Sequence, residues 1–407
     1  MNCSLNYDSS DPKFILLKKV LDFMNSKKSL NALSRAGVSN RRTVLFYIEI
    51  LFIAMYFSCP ISHVVDELNR SAKLRKFVGI EDKEISVAQV YEGLSRSTAV
   101  EYCNYVNSIL KIFNKTTRGK YNKYIVDATP SACDFNIDKK YITKEHLEKL
   151  KLNWGYSTTK GHFIGFKVTV VLNYKTLSPV SILIHSGAPN DSKLFDEILQ
   201  ELKRRRLIKY KDIIYFDKGY YSLNNYSIGV NKYKIVPVIF PKSSFSLDKL
   251  KNQMALPLEA YNKTKYANSL KKDIKSIASI LYEKIENWKD YKPVRGIIED
   301  FFKVAKDAFG LGKFHSYTVD SMSKNIYFCL LLTTIVVQQG YKTKTKLQRL
   351  AEGNVVQDTP VKKKSKKKKD KNKNKDDNTD NEDKQGQQKL NIEFESNRVT
   401  LFNYAET

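Results

Sequence analysis

Residues 213–222 read IIYFDKGYYS, an apolar run that ends abruptly on Asp217 and turns at once through Lys218 and Gly219 into two tyrosines. An ionised carboxylate closing a buried strand is costly unless it has a partner, a proton or a cation. A second run of the same kind, YNKYIVDAT (121–129), carries Asp127 among its apolar residues. Two such acids, in strands that could lie side by side, suggest a shared cation.

Outward from these runs the chain alternates strands and helices. HFIGFKVTVVLN (162–173) and PVSILIHSG (179–187) join YNKYIVDAT as three antiparallel strands, rich in β-branched and aromatic residues. DSKLFDEILQELKRRR (191–206) sets Leu194, Phe195, Ile198, Leu199 and Leu202 on one helical stripe. DIIYFD (212–217) is the fourth strand, SLNNYSIGVNK a short helix and YKIVPVIFP (233–241) the fifth strand. The order βββαβαβ predicts an α/β layer arrangement, the strand order of the ribonuclease-H-like fold. A Lys- and Asn-rich stretch, about 243–290, reads as an insertion before the helix VRGIIEDFFKVAKDAFG (294–310), and an apolar helix follows at 323–338.

That helix supplies a third acid. Arg295, Glu299, Lys303 and Lys306 form a polar stripe, opposite Ile297, Ile298, Phe301, Val304, Ala305 and Ala308. Cations beside acids suit phosphate oxygens. Hard oxygen ligands favour two Mg²⁺ ions, with Mn²⁺ as a substitute, and paired metals activate water on one side of a phosphodiester and stabilise the leaving oxygen on the other.

Ahead of this region, residues 1–115 show helical apolar spacing and predict an all-helical unit. Ser86 and Gln89 stand at capping-box spacing, so EISVAQVYEGLSR could be the second helix of a DNA-reading pair. Beyond 352 the chain turns polar and Lys-rich; 353–407 reads as a low-complexity, disordered tail. The 407 residues carry 70 Lys plus Arg against 43 Asp plus Glu, a net charge of +27. Residues 361–388 hold 11 Lys and 6 acids, so the tail explains little of that excess. Such charge attracts polyanions, nucleic acid first. Residues 43–61 contain Glu49 and Pro60, and 326–337 are too short for a span of roughly 20 residues, so both read as core helices. Five scattered cysteines without ligand spacing, and no export signal, point to a cytoplasmic, nucleoid-associated protein.

Among rival acids, Asp191 reads as the N-cap of its helix, Asp212 and Asp300 as solvent-facing, and Asp134 and Asp138 as loop residues. The five histidines lack zinc spacing, and GLGK (310–313) lacks a full phosphate-loop pattern, so neither zinc nor a nucleotide cofactor is expected. Trp288 could stack on an unpaired base, although a packed Trp is the blander reading.

Taken as a set, VDAT (126–129), NWGYSTTKGHFIGFK, HSGAPNDSKLFDE, FDKGYYS and YKPVRGIIEDFFKVAKDAFGLGKFH resemble the DDE insertion-sequence transposases with an insertion before the catalytic Glu. The resemblance covers about 121–340. It implies that Asp127, Asp217 and Glu299 form a catalytic, metal-holding triad on a ribonuclease-H-like domain. The family's Tyr-Arg-Glu-Lys series implies that Arg295 and Lys306 contact DNA phosphates; Tyr291 is its Tyr, with three residues before Arg295 instead of two. Lys303, Lys218 and Trp288 complete the expected DNA contacts. Double-stranded DNA, as terminal inverted repeats and target, is the implied partner of a homodimer. A DNA-binding protein that no longer cuts, and a nuclease without strand transfer, are the rival readings.

Overall fold

The computed structural model describes residues 5, 7–80, 84–114, 121–135, 142–158, 160–260 and 267–355, and side chains within these except 256–260 and 267. The Lys-rich tail from 356 onward, and Asp138, lie outside the described residues.

Seven helices come first: α1 (Pro12–Met24), α2 (Lys27–Arg35), α3 (Arg41–Tyr56), α4 (Ile61–Arg70), α5 (Ala72–Val78), α6 (Val87–Ser95) and α7 (Ala99–Phe113). Side chains close most of their N-termini: Asp11, Ser26, Ser71, Ser86 and Thr98 each accept a backbone N–H of the first turn. The expected capping box of Ser86 and Gln89 is present in both directions. The outward side of α6 carries Gln89, Tyr91 and Glu92, with Glu92 held by Arg96 at 2.9 Å.

A mixed sheet follows. It comprises β1 (Lys123–Cys133), β2 (Asn153–Ser157), β3 (Gly161–Asn173), β4 (Ser178–Ser186), β5 (Ile213–Phe216), β6 (Val236–Ile239) and β7 (Lys313–Phe314). β3 lies antiparallel between β1 and β4, the expected meander, and β5 and β6 extend it parallel to β1. β2 was not anticipated: it pairs with the first residues of β3, just beyond where β4 stops. Gly165 marks that changeover, because a Cβ there would stand 2.3 Å from the Ser131 carbonyl oxygen. This α/β arrangement is consistent with the ribonuclease-H-like expectation.

Helices α8 (Lys144–Leu150), α9 (Asp191–Arg204), α10 (Leu223–Ser227), α11 (Leu247–Ala260), α12 (Ala267–Glu286), α13 (Trp288–Lys303), α14 (Val319–Gln338) and α15 (Lys344–Ala351) complete the layers. The stripe predicted for α9 is its buried side. The expected insertion is mostly α11 and α12, and α12 packs against β6. α13 begins before the Val294 start expected from the sequence, running through Pro293, and a π-helical turn at Val304–Ala308 continues it. Gly310 then ends it in a left-handed conformation, as GLGK suggested. Both apolar stretches are core: α3 and α14 are buried along most of their lengths. Among the described residues no single helix is long and apolar enough to cross a membrane; the bent pair α3 and α4, meeting at 107°, passes by length and composition only.

Candidate functional site

The site begins with strand register. β1 and β5 run parallel with Val126 opposite Phe216, so the next residues, Asp127 and Asp217, emerge level with each other. β5 ends there, and β1 is next paired on that side at Ala132 with β7. The gap between β5 and β7 opens the sheet beside Asp127. α13 packs on β1 and brings Arg295 and Glu299 to the same place.

Asp127, Asp217 and Glu299 line one open cleft of about 770 Å³. Asp127 is hemmed in by protein atoms, and burial, the largest effect, pushes its carboxyl up to about 7. Its hydrogen bond from Ala128 N–H (2.8 Å) pulls the other way, and the Asp217 charge raises it further. Arg295 stands between the other two acids: Nη1 lies 3.2 Å from Asp217 Oδ1 and Nη2 3.0 Å from Glu299 Oε1. The first contact is an ion pair without hydrogen-bond alignment, which leaves the buried Asp217 Oδ1 without a hydrogen-bond partner.

A divalent cation fits the donor chemistry of the two aspartates. An orphaned, buried carboxylate oxygen beside a second crowded carboxylate is what a hard cation would satisfy. Among the described residues, however, no three or more His, Cys, Asp or Glu are gathered closely enough to hold a metal by themselves. Mg²⁺ usually binds through one or two carboxylates and completes its shell with water and substrate phosphate, so two aspartates are within its ordinary protein share.

The cations divide into those foreseen and those not. Arg295, Lys303 and Lys306 line the cleft as expected; burial lowers the Lys306 ammonium, with the Asp127 charge opposing. Lys218 is exposed and is not among the residues lining the cleft, whereas Gly219, Lys167 and Lys242 are. Tyr291 lies one turn before Arg295 on α13 but packs on Tyr215 (5.9 Å), with the Lys284 ammonium 4.5 Å from its ring. Trp288 meets Phe240 edge to face at 6.4 Å and does not line the cleft, the packed alternative. Tyr220 is buried against Phe216.

A family model described as Transposase DDE domain matches residues 118–335. The chain belongs to the DDE transposases. It is therefore a transposase, an enzyme that acts on DNA. No curated protein and no solved structure matches the chain.

Three carboxylates of this transposase differ from their expected surroundings. The cap of α9 is Asn190, whose side chain accepts Ser192 N–H at 2.9 Å; Asp191 instead pairs with Lys167 (2.7 Å) and lines the cleft. Two adjacent residues could both cap, and the first one does. Asp212 is buried rather than solvent-facing, because the backbone N–H groups of Asn122 (2.8 Å) and Lys209 (2.9 Å) donate to it. Burial still raises its carboxyl. Asp300 is buried too, also with a raised carboxyl, and Lys344 of the α15 helix opposes the shift. Asp134 follows β1 as expected and pairs with Lys313 (2.5 Å) and His315 (3.0 Å).

Proposed function

We propose that this transposase binds the ends of its own mobile element and carries out metal-dependent DNA cleavage and strand transfer. Asp127, Asp217 and Glu299 are the catalytic acids in this reading. The observation that carries it is the level emergence of Asp127 and Asp217 from adjacent parallel strands, under a helix bearing Glu299 and Arg295.

Asp127 and Asp217, with Glu299, would hold Mg²⁺, or Mn²⁺ in its place. The ion would polarise the scissile phosphodiester and make water, then the freed 3′-hydroxyl, an effective nucleophile. The chain's own contribution is electrostatic and positional. Arg295, Lys303, Lys306, Lys167 and Lys242 offer a ring of donors for phosphate oxygens around the acids. Arg295 already spans Asp217 and Glu299, so an arriving phosphate competes with two carboxylates for one guanidinium. That exchange would place the phosphate against the acids.

The finer family placement, with an insertion before Glu299 and a Tyr-Arg-Glu-Lys signature, rests on α11 and α12 preceding α13 and on the Arg295, Glu299 and Lys306 spacing. A homodimer on DNA follows from the need to hold two element ends together, and action on the element's DNA would put the protein at the nucleoid in the cytoplasm.

The experiment pairs the purified protein with its flanking repeat DNA and Mg²⁺ or Mn²⁺. Asp217→Ala should keep end binding and lose nicking, and nicking that survives the substitution overturns the assignment. Joining of cut ends to a target separates strand transfer from simple nuclease action.

A further inference from the structure

The segment NWGYS became an edge strand, and its exposed side chains are unusual. Trp154 is 45% and Tyr156 60% exposed, two of the few large apolar side chains left in solvent among the described residues. They stand two residues apart on β2, which puts both on one side of the strand, roughly 6.8 Å apart. Tyr156 lines the acidic cleft itself. Trp154 lines an adjoining hollow of about 770 Å³ that shares Ala188 and Pro189 with the cleft and runs on to Lys144 of α8. The cleft of the paired aspartates and Tyr156 and the hollow of Trp154 thus lie side by side, with Ala188 and Pro189 lining both.

The strand beneath is held firmly. A Cβ on Gly155 would lie 2.7 Å from the Phe163 ring and 3.0 Å from Ala188, so β2 sits as close to its neighbours as glycine permits. The His162 ring props Tyr156 from the facing strand at 5.1 Å. An aromatic ring carried on so closely packed a strand has only its own side-chain torsions to lose on binding.

We propose that Tyr156 and Trp154 form a stacking platform for unpaired bases of the DNA strand that leaves the cleft. This deepens the transposase reading above and rests on it. Lys167, Lys242, Arg295, Lys303 and Lys306 make the neighbouring cleft complementary to a phosphate backbone, whereas Tyr156 and Trp154 offer exposed aromatic faces. In a duplex the base faces are covered by their neighbours. Only a splayed or single-stranded base offers a face, and stacking accepts any sequence. The substrate engaged there is therefore DNA with unpaired nucleotides beside the cut.

The test uses the full chain in EDTA with two fluorescent probes: a blunt duplex, and the same duplex with one splayed single-stranded arm carrying 2-aminopurine. Wild type is expected to prefer the armed duplex and to quench the 2-aminopurine. Trp154→Ala with Tyr156→Ala should weaken binding to the armed duplex by about 5- to 150-fold per lost base and leave blunt-duplex binding unchanged. Tyr156→Phe should retain the quenching. Equal losses on both duplexes, or none, overturn the platform and leave the transposase reading intact; a wild type that binds neither duplex defeats both. A DNA-free dimer that dissociates in the double variant also overturns it, by assigning this face to a second copy. Both side chains are exposed, so the variants should melt as wild type does; if the double variant unfolds, Tyr156→Ser alone replaces it.

Discussion

At the scale of single residues, the turn after Asp217 explains why FDKGYY is so constrained. Lys218–Tyr220 form a 3-10 turn, and a Cβ on Gly219 would meet Asp191 Oδ2 at 2.8 Å. Asp191 cannot easily yield, since Lys167 holds it at 2.7 Å while also donating to Pro189 O. Gly219→Ala is therefore expected to cost about 1–3 kcal/mol by overpacking. Asp191→Ala in the same chain should recover part of it, and a double-mutant cycle by chemical denaturation measures the coupling. Arg295 permits a second prediction. As the cation now compensating Asp217 and Glu299, it would compete with a metal bound there. Arg295→Gln should tighten Mn²⁺ binding to the DNA-free protein, read by calorimetry, and weaken end binding by roughly tenfold, the worth of one charge-assisted hydrogen bond. Unchanged Mn²⁺ affinity would show that Arg295 does not guard the acids. The acids at 127 and 217 were legible because they interrupt apolar runs. Asp191, Asp212 and Asp300 were misread because their partners, Lys167, Asn122 and Lys344, are distant in sequence or are backbone groups that carry no sequence signal.

At the scale of elements, long and strongly periodic segments were readable, whereas β2 was not. NWGYS has a glycine at its centre, only five residues, and aromatics that alternate toward solvent instead of a core, so its strand propensity is too short and weak a signal; its partner β3 makes it a strand. α13 was recognised but started late, because Pro293 reads as a boundary and the structure carries the helix through it. α3 holds a testable oddity in Glu49, buried at 3% exposure and accepting a hydrogen bond from the Asn25 amide. Burial pushes its carboxyl up to about 8 from an ordinary 4.5. A folded value above the unfolded one means that the folded state holds the proton more tightly. Its stabilising contribution is whole below about 4.5 and is lost as pH rises through about 8. Glu49→Gln keeps an acceptor and removes the titration. The variant's stability relative to wild type should accordingly grow between these pH values, by a few kcal/mol at most. Thermal melts across that window check it, and parallel curves would refute the burial argument.

At the scale of the whole molecule, α14 decides how the parts depend on one another. Thirteen of its residues are buried, and it is covered from one side by α1, α3 and α7 and from the other by β4 and the turn after α13. Phe328 lies 4.7 Å from Tyr102 of α7 and 6.2 Å from Phe52 of α3, so the helical layer roofs the helix that the sheet rests upon. Residues 5–355, where described, belong to one compact unit. Deleting residues 1–114 would bare several large apolar side chains, at about 1.5–3 kcal/mol each. That loss rivals the 5–15 kcal/mol of net stability typical of a folded domain. The remaining fragment is expected to be insoluble, or to melt without cooperativity, while the full chain shows one transition in calorimetry. A fragment that melts cooperatively would instead make the helical layer a removable module. The distinction bears on the proposed function: if the layers unfold together, then any DNA end engaged by the helices would be held on the same folded unit that carries Asp127 and Asp217, and end recognition would fix the cleft's position without a hinge.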